Sequence, residues 1–330
     1  MKLLVSTLVV ISIFISGCTK DIERYQSPYV KDKDEESVDV KLPSHWVEHS
    51  GSMKDIGFHV YRSERVFNNK KTRLIALVFN PSKVEFKPVI SSSAKTVSQF
   101  YASEQGVIAS VNGGYFGAGT SYSLILQNGV NLADNIRSLS RAYNGSNTPY
   151  YPTRAAFGLD ISNKPSVAWV YSLTSKGAIY SYPTPSPNIE GQVPQAVPSA
   201  SFPSGGQVWG MDQAIGGSPM LIKDGKINIT DKEELISVDN TANRPRTAIG
   251  YYDNGFITLL VAEGGNTAET IPGLTLNDVA NIMLDMGCEG AINLDGGGSS
   301  MMVVNGEKQI RPSDAAGERA VISAVLIKKK

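Results

Sequence analysis

The pattern of short apolar runs separated by turn residues constrains the fold of this chain more than any other feature. The runs begin near Trp46, and those with the length and content of strands are 73–79, 106–111, 166–171, 247–252 and 256–262. Between the last two, Asp253-Asn254-Gly255 is a strong hairpin signal. Further reversals are predicted at Asn128-Gly129, Asp224-Gly225 and Asn305-Gly306. Most of the chain from Trp46 onward is therefore predicted to form β-structure.

One segment has the periodicity of a helix instead. Thr275-Leu276-Asn277-Asp278 resembles a capping box, the apolar residues that follow fall on one face, and Gly287 is predicted to end the helix. A short strand over 291–294 follows directly, and the six prolines of segment 183–203 predict a long loop. These patterns predict a single α+β domain, mostly a mixed β-sheet with a few packed helices.

The first residues of the chain have the pattern of a targeting signal. The uncharged stretch after Lys2 is shorter than the ~20 apolar residues of a spanning helix, which favours a signal peptide over residues 1–17. Ile15-Ser16-Gly17-Cys18 resembles a bacterial lipobox, although a plain signal peptide with a chance cysteine would also fit. We predict a lipid on Cys18, a charged flexible tether over 18–45 and the folded domain over 46–330. The protein is then expected in the bacterial cell envelope, with the membrane as a partner.

Charge and composition exclude several classes of function. Lys and Arg total 31 and Asp and Glu total 31, so the chain lacks the basic excess of a nucleic-acid-binding protein, and no such partner is predicted. The three histidines lie between 45 and 59, before all the motifs described below, which argues against a Ser-His-Asp or zinc site. No metal or cofactor is predicted. With Cys18 lipidated, Cys288 is expected to be a buried free thiol.

Four predicted strands end or begin at polar residues, most of them beside glycines. Asp295 lies in the sequence NLDGGGSS, where three glycines let the backbone pass close to a ligand, although a solvated aspartate in a tight turn is the alternative. Asn112 precedes Gly113-Gly114, Arg246 opens a strand, and Glu263 precedes Gly264-Gly265. We expect the four to share one edge of the fold and to form a pocket. Carboxylates and arginines suit sugar and phosphate chemistry.

Three of these blocks together resemble the phosphodiester glycosidase family: 111–116 (VNGGYF), 244–250 (RPRTAIG) and 293–300 (NLDGGGSS). The resemblance extends over roughly residues 70–328 and includes Glu318-Arg319 before the last strand. It implies hydrolysis of a sugar–phosphate diester at the anomeric carbon of the sugar. The chain departs from the family at Glu263-Gly264-Gly265-Asn266, where members often have an arginine after the acidic residue and glycine. This departure favours a different glycoside as substrate.

The resemblance also implies roles for single residues. By position, Asp295 would be the central active-site carboxylate and Arg246 a phosphate ligand, while Glu263 is our candidate for a second catalytic carboxylate. The residues expected to bind the carbohydrate or sugar-phosphate substrate are Asn112, Gly113, Tyr115, Arg246, Thr247, Gly296, Gly297, Gly298, Ser299 and Arg319. The alternative function is a non-catalytic glycan-binding or envelope-assembly lipoprotein that kept the pocket, which the departure at Gly265 favours.

Overall fold

The computed structural model describes residues 40–237 and 239–330. The predictions for the signal peptide, for Cys18 and for most of the tether lie outside these ranges. Val40 and Trp46 are already buried against the domain, so packing begins within the segment predicted as tether. Over the two described ranges, no helix is long and apolar enough to cross a membrane.

Strands dominate the described part of the chain. In chain order they are β1 (Val47–Glu48), β2 (Phe58–Ser63), β3 (Val66–Phe67), β4 (Lys70–Lys71), β5 (Leu74–Phe79), β6 (Val84–Lys95), β7 (Val107–Asn112), β8 (Phe116–Gly117), β9 (Thr120–Ser121), β10 (Ile125–Gln127), β11 (Val130–Ala133), β12 (Leu139–Tyr143), β13 (Ser146–Tyr150), β14 (Arg154–Leu159), β15 (Pro165–Ser172), β16 (Ile179–Tyr182), β17 (Gln207–Val208), β18 (Gln213–Gly216), β19 (Met220–Lys223), β20 (Lys226–Ile227), β21 (Arg246–Tyr251), β22 (Ile257–Ala262), β23 (Gly290–Asn293), β24 (Met302–Val304), β25 (Glu307–Lys308) and β26 (Val321–Lys329). The helical segments are α1 (Val97–Tyr101), α2 (Leu276–Asp285) and two 3-10 turns, Gly51–Ile56 and Gly297–Ser299.

The fold is therefore mainly β, which corrects the predicted α+β class. The two α-helices have 5 and 10 residues, because only these segments combine a capping box with apolar residues at helical spacing. The prediction gave the helices too much weight, since two short α-helices accompany 26 strands in the described residues.

Three sheets carry the structure. An eight-stranded sheet has the order β1-β2-β5-β22-β21-β23-β19-β20, a seven-stranded sheet β11-β10-β18-β14-β15-β16-β17, and a five-stranded sheet β25-β24-β7-β26-β6. The central strands of the eight-stranded sheet are buried on both faces, because alternate side chains of a strand point in opposite directions. In β5, for example, Leu77 belongs to the core shared by the three sheets, whereas Val78 packs with residues of α2.

The predicted local structure is confirmed in detail. Each predicted strand occurs with its ends displaced by at most one residue. In α2 the Thr275 Oγ1 accepts a hydrogen bond from the Asp278 N–H (3.1 Å), and the Asp278 carboxylate accepts one from the Thr275 N–H (2.8 Å). Gly287 ends the helix with φ +92°, and the region 183–203 lacks regular structure.

The predicted shared edge also follows from the strand pairing. Strands β22, β21 and β23 are antiparallel neighbours, with Arg246 opposite Ala262 and Ala248 opposite Asn293. The end of β22, the start of β21 and the end of β23 therefore lie at one edge. The end of β7, in the five-stranded sheet, lies at the same edge, because Asn112 Nδ2 donates a hydrogen bond to the Asp295 carbonyl oxygen.

Candidate active site

A cleft of about 250 Å³ opens at this edge, beside the carboxyl group that follows β23. Side chains and backbone of three chain segments line it: Tyr115, Ser237, Asp239, Arg244, Arg246, Asp295, Gly296 and Gly297. We call it the Asp295 cleft. Four of the sequence-predicted substrate residues, together with Asp295 itself, are therefore at this cleft.

Asp295 is held through its backbone N–H and its side-chain carboxylate. Its N–H donates to the Gly113 carbonyl oxygen (3.2 Å), and its Oδ1 accepts the N–H of Gly296 (2.9 Å). Burial raises the pKa of the Asp295 carboxyl to about 6, against the opposing effects of the Ser299 hydroxyl, the Gly296 N–H and the positive charge of Arg319. A carboxyl group with this pKa exchanges a proton near neutral pH, as a general acid or base must.

Gly298, the last of the three glycines after Asp295, lets a charged pair approach the backbone. A side chain at Gly298 would overlap both the Arg319 guanidinium and the Asp314 carboxylate. These two groups pair in a fork, with Arg319 Nε and Nη2 lying 2.9 and 3.1 Å from the two carboxylate oxygens of Asp314. The absence of a side chain at Gly298 thus lets a cation lie against the turn that follows Asp295.

Asn112 lies beneath the turn and joins three segments of the chain. It is fully buried, its Nδ2 donates to the Asp295 carbonyl oxygen (2.8 Å), and its Oδ1 accepts from Thr247 Oγ1 (2.8 Å) and from the Met301 N–H (3.1 Å). Ser299 is also almost fully buried. The structure therefore places these predicted substrate residues below the surface of the cleft, where Asn112 and Thr247 bind other protein groups.

Tyr115 forms another wall of the Asp295 cleft. The Tyr115 hydroxyl donates to the Ser218 carbonyl oxygen and accepts from Asn293 Nδ2, each over 2.7 Å. Burial raises the pKa of Tyr115, so the phenol stays neutral. Gly113 donates its N–H to the Ser323 carbonyl oxygen (2.9 Å), and a side chain there would collide with Ser323. Gly113 therefore serves the close packing of two strands.

The two arginines before and at the start of β21 differ in accessibility. Arg246 is only 3% exposed; its Nε donates to the Leu274 carbonyl oxygen (2.9 Å), and its Nη2 donates to the Asp239 and Ala242 carbonyl oxygens (2.8 and 3.0 Å). Burial lowers the pKa of Arg246, which remains a cation. Arg244 has a side chain 52% exposed and pairs with the Asp239 carboxylate at 2.8 Å. Sequence reasoning selected Arg246 and passed over Arg244 and Asp239.

Glu263 lies at the same edge of the sheet but lines a different cleft, which opens beside Arg73 and Arg311. It is 1% exposed, and its carboxylate accepts from Asn266 Nδ2 (2.6 Å), from the Arg311 N–H (3.1 Å) and from Arg73 Nη1 (3.2 Å). The structure thus does not bring Glu263 into the Asp295 cleft. Glu263 instead joins three segments of the chain, through its ion pair with Arg73 and its hydrogen bonds from Asn266 and Arg311.

A buried carboxylate that the sequence did not single out supports the cleft from behind. Glu234 is fully buried, and five donors face its two oxygens: the N–H groups of Ala155 and Met220, the Trp169 indole, and the hydroxyls of Thr230 and Ser218. The Ser218 carbonyl in turn holds Tyr115. Because Asp231-Lys232-Glu233-Glu234 resembles an ordinary solvated segment, no local signal identified this residue.

Within residues 40–237 and 239–330, no group of three or more His, Cys, Asp or Glu side chains is arranged to hold a metal ion. Cys288 is free and 1% exposed, which confirms the predicted buried thiol, and burial raises its pKa.

Known proteins share both sequence and fold with this chain. It is 34% identical over 112 residues to human N-acetylglucosamine-1-phosphodiester alpha-N-acetylglucosaminidase, over 31% of this chain and 21% of that protein. It is 33% identical over 107 residues to the SPbeta prophage-derived uncharacterized protein YomE of Bacillus subtilis, over 32% of this chain and 16% of that protein. The matches thus cover about a fifth or less of these relatives.

Two solved structures have the same fold. The catalytic domain of zebrafish N-acetylglucosamine-1-phosphodiester alpha-N-acetylglucosaminidase, auto-inhibited by its pro-peptide, superposes with a TM-score of 0.52 at 18% identity, over 83% of both chains. A hypothetical protein from Synechocystis gives 0.54 at 16% identity, over 83% of this chain and 62% of that one. The family model for phosphodiester glycosidase matches residues 105–328, more than half of the chain. This protein therefore belongs to the phosphodiester glycosidase family.

Proposed function

We propose that this protein hydrolyses the glycosidic bond of a sugar-1-phosphodiester or a related glycan, with Asp295 as the central carboxylate. The observation that carries the proposal is the environment of Asp295: a carboxyl group whose burial raises its pKa to about 6, in a cleft that also contains guanidinium groups. The names of the human and zebrafish relatives support a sugar phosphodiester as the substrate class.

The reaction requires little help from a general acid. When the bond between the anomeric carbon and the phosphate oxygen breaks, the leaving group is a phosphomonoester, whose second pKa of ~6 lets it carry the charge unprotonated. A water oxygen becomes bound to the anomeric carbon. The ionised Asp295 either takes the proton of that water or first attacks the carbon itself, and the anomeric configuration of the released sugar distinguishes the two.

A cation must receive the charge that develops on the phosphate. Arg244 is suited to this role, because its guanidinium is half exposed in the cleft and can exchange the Asp239 carboxylate for a phosphate. Arg319 supplies positive charge from behind the glycine turn. Arg246, with Nε and Nη2 donating to backbone carbonyls, holds the loop that carries Asp239.

The decisive experiment compares the wild-type chain with Asp295→Asn on an N-acetylglucosamine-1-phosphodiester and on chromogenic glycosides. General acid–base groups contribute about 10²–10⁴-fold, so we expect a loss of turnover of that size with the fold retained. Asp55→Asn, an exposed aspartate, is the matched control. Equal turnover of wild type and Asp295→Asn would refute the catalytic role. Binding of glycans without cleavage by either would instead support a non-catalytic glycan-binding lipoprotein.

The phosphate role is tested separately. Arg244→Gln should weaken phosphate-bearing ligands at least about tenfold more than neutral glycosides, because it removes a cation and leaves the loop in place. Arg246→Gln, which removes the loop contacts, should instead lower stability and affect both ligand types. If Arg244→Gln weakens binding of both ligand types equally, Arg244 is not the phosphate ligand.

We also propose that a lipid on Cys18 holds the domain at the bacterial cell envelope. The support is the sequence alone: an uncharged apolar run that ends in small residues directly before a cysteine. Cys18→Ala should release the protein from the membrane fraction. Unchanged fractionation would refute the anchor.

A further inference from the structure

The cleft that Glu263 lines carries an excess of positive charge. It measures about 380 Å³, and its lining consists of four cationic and two acidic side chains, one glutamine and two isoleucines. We call it the arginine cleft, after Arg62, Arg73 and Arg311. The described residues that line it include none of those that line the Asp295 cleft, so the two are separate spaces.

The two acids of the arginine cleft are already neutralised by Arg73. Its Nε donates to the Glu64 carboxylate (2.9 Å) and its Nη1 to Glu263 (3.2 Å), while its Nη2 donates to Glu269 outside the cleft lining (2.6 Å). Glu263 also accepts the backbone N–H of Arg311 (3.1 Å). Arg73 and the lining acids therefore satisfy one another, and the other three cations of the cleft have no lining acid as a partner.

Two of these cations, Arg62 and Arg311, are held by neutral groups only. Arg62 Nη2 donates to Gln309 Oε1 (2.8 Å), and Arg311 Nη1 donates to Asn266 Oδ1 (3.4 Å). In the described part of the chain no carboxylate pairs with either guanidinium group, and both residues are exposed. An amide oxygen orients a guanidinium without cancelling its charge, so both keep donors and charge for an anion.

The third cation strengthens the preference for a doubly charged ligand. The Lys308 side chain is 48% exposed, and its Nζ lies 3.4 Å from the Glu318 carboxylate, a contact that a ligand can replace. Guanidinium forks bind phosphate and carboxylate groups in pairs of hydrogen bonds. A phosphate monoester offers three acceptor oxygens and close to two negative charges, enough for both Arg62 and Arg311, whereas a carboxylate offers two oxygens and one charge.

The size and the rim of the arginine cleft favour a small soluble molecule over a membrane surface. A volume of about 380 Å³ lies within the ~300–1,000 Å³ of small-molecule sites. Glu64 and Glu269, both bound to Arg73, have side chains that are 58% and 43% exposed. An anionic bilayer would have to approach these carboxylates, whereas a small ester that enters the cleft does not.

We propose that the arginine cleft is a second anion site, apart from the Asp295 cleft, which binds the phosphate monoester group of a small soluble molecule between Arg62, Arg311 and Lys308. This inference goes beyond the proposed function, because Asp295 takes no part in it. The site binds its ligand without cleaving it.

The test measures binding of phenyl phosphate and benzoate to the full chain by titration calorimetry. The parent protein is Arg244→Gln, which lacks the guanidinium that we assign to phosphate in the Asp295 cleft. Arg62→Gln or Arg311→Gln is then added, and the latter keeps the Arg311 backbone N–H on Glu263. Lys226→Gln is the matched control, because it removes one exposed positive charge at the opposite edge of the eight-stranded sheet.

We expect the parent to bind phenyl phosphate at least about tenfold more tightly than benzoate. Arg62→Gln and Arg311→Gln should each weaken phenyl phosphate at least about tenfold, and Lys226→Gln should leave it within about twofold. The arginine cleft is refuted as the site if the parent does not bind phenyl phosphate although wild type does, or if neither arginine substitution weakens it. Equal affinity for benzoate would overturn the assignment to phosphate.

A separate measurement distinguishes a soluble ester from a lipid headgroup. Wild type, Arg62→Gln and Arg311→Gln should sediment equally with phosphatidylcholine vesicles that contain phosphatidylglycerol. If the two variants sediment less than wild type, and phenyl phosphate does not bind, the cleft faces a membrane and the soluble ligand is overturned. None of these measurements uses turnover, so their failure and the failure of the proposed function are distinguishable.

Discussion

Replacing Asp295 with asparagine is expected to stabilise the folded protein at neutral pH while it removes activity. Burial raises the pKa of this carboxyl from 3.8 to about 6, so ionised Asp295 is less favourable in the folded protein than in the unfolded chain. Asparagine has nearly the same volume and keeps an oxygen to accept the Gly296 N–H, which Asp295 Oδ1 accepts at 2.9 Å. The substitution therefore removes the buried charge and little else.

The size and sign of the effect follow from the linkage between proton binding and folding. Between about pH 4 and pH 6 the folded protein retains a proton that the unfolded chain has lost, so the free energy of unfolding of wild type falls as the pH rises. Above about pH 6 the penalty is complete and amounts to about 3 kcal/mol. At pH 4 it is well below about 1 kcal/mol, because the unfolded chains have then lost only part of their protons while the folded protein retains its own.

Urea unfolding of wild type and Asp295→Asn at pH 4, 6 and 8 measures this difference, with Asp55→Asn as the surface control. We expect the variant to gain about 3 kcal/mol over wild type at pH 8 and the gain to shrink toward pH 4. A variant less stable than wild type at pH 8, or a difference that does not change with pH, would refute the burial argument and with it the raised pKa.

Three further outcomes are expected. Glu234→Gln should lower the free energy of unfolding, measured by urea titration, by about 3–5 kcal/mol. The reason is that an amide N–H₂ replaces an oxygen that two or three donors face. The same substitution at the half-buried neighbour, Glu233→Gln, should change the free energy of unfolding little. Gly298→Ala should lower kcat/KM about tenfold by displacing Arg319 and Asp314, and unchanged kinetics would argue against any role of that pair in the site. The pH profile of kcat/KM should rise through about pH 6 and then level off, since the ionised Asp295 is the active form; a fall over the same range would assign it as a general acid.

The sequence located the candidate site better than it assigned the residues within it. Asp295 and its glycines could be recognised because a carboxylate at the end of a strand followed by three glycines is a local pattern. Glu263 has a similar local pattern, yet its carboxylate pairs with Arg73, 190 residues earlier in the chain. No local signal reveals such a partner, because sheet pairing rather than sequence distance brings the two together.

Partners that are distant in the sequence also explain why sequence reasoning missed Arg244 and Glu234. Arg244 and Arg246 are two positions apart in one motif, and only the surrounding loops decide that Arg246 donates to buried carbonyls while Arg244 stays half exposed. Glu234 lies in a stretch of charged residues and is nonetheless fully buried, because donors from three distant segments and from nearby Thr230 surround it.

Local sequence patterns were enough to predict six of the strands, the capped helix α2 and several turns that reverse the chain. Their causes are local: side-chain alternation, a capping box within four residues, and Asn-Gly or Asp-Gly pairs at positive φ, such as Asn305-Gly306 at +50° and +82°. Three outcomes could not be predicted from such patterns: that the fold is mainly β, which polar groups share the Asp295 cleft, and that Glu263 pairs with Arg73. Those outcomes depend on sheet order and on contacts between residues far apart in the chain, where a buried charge is stable only if the whole fold supplies its partners.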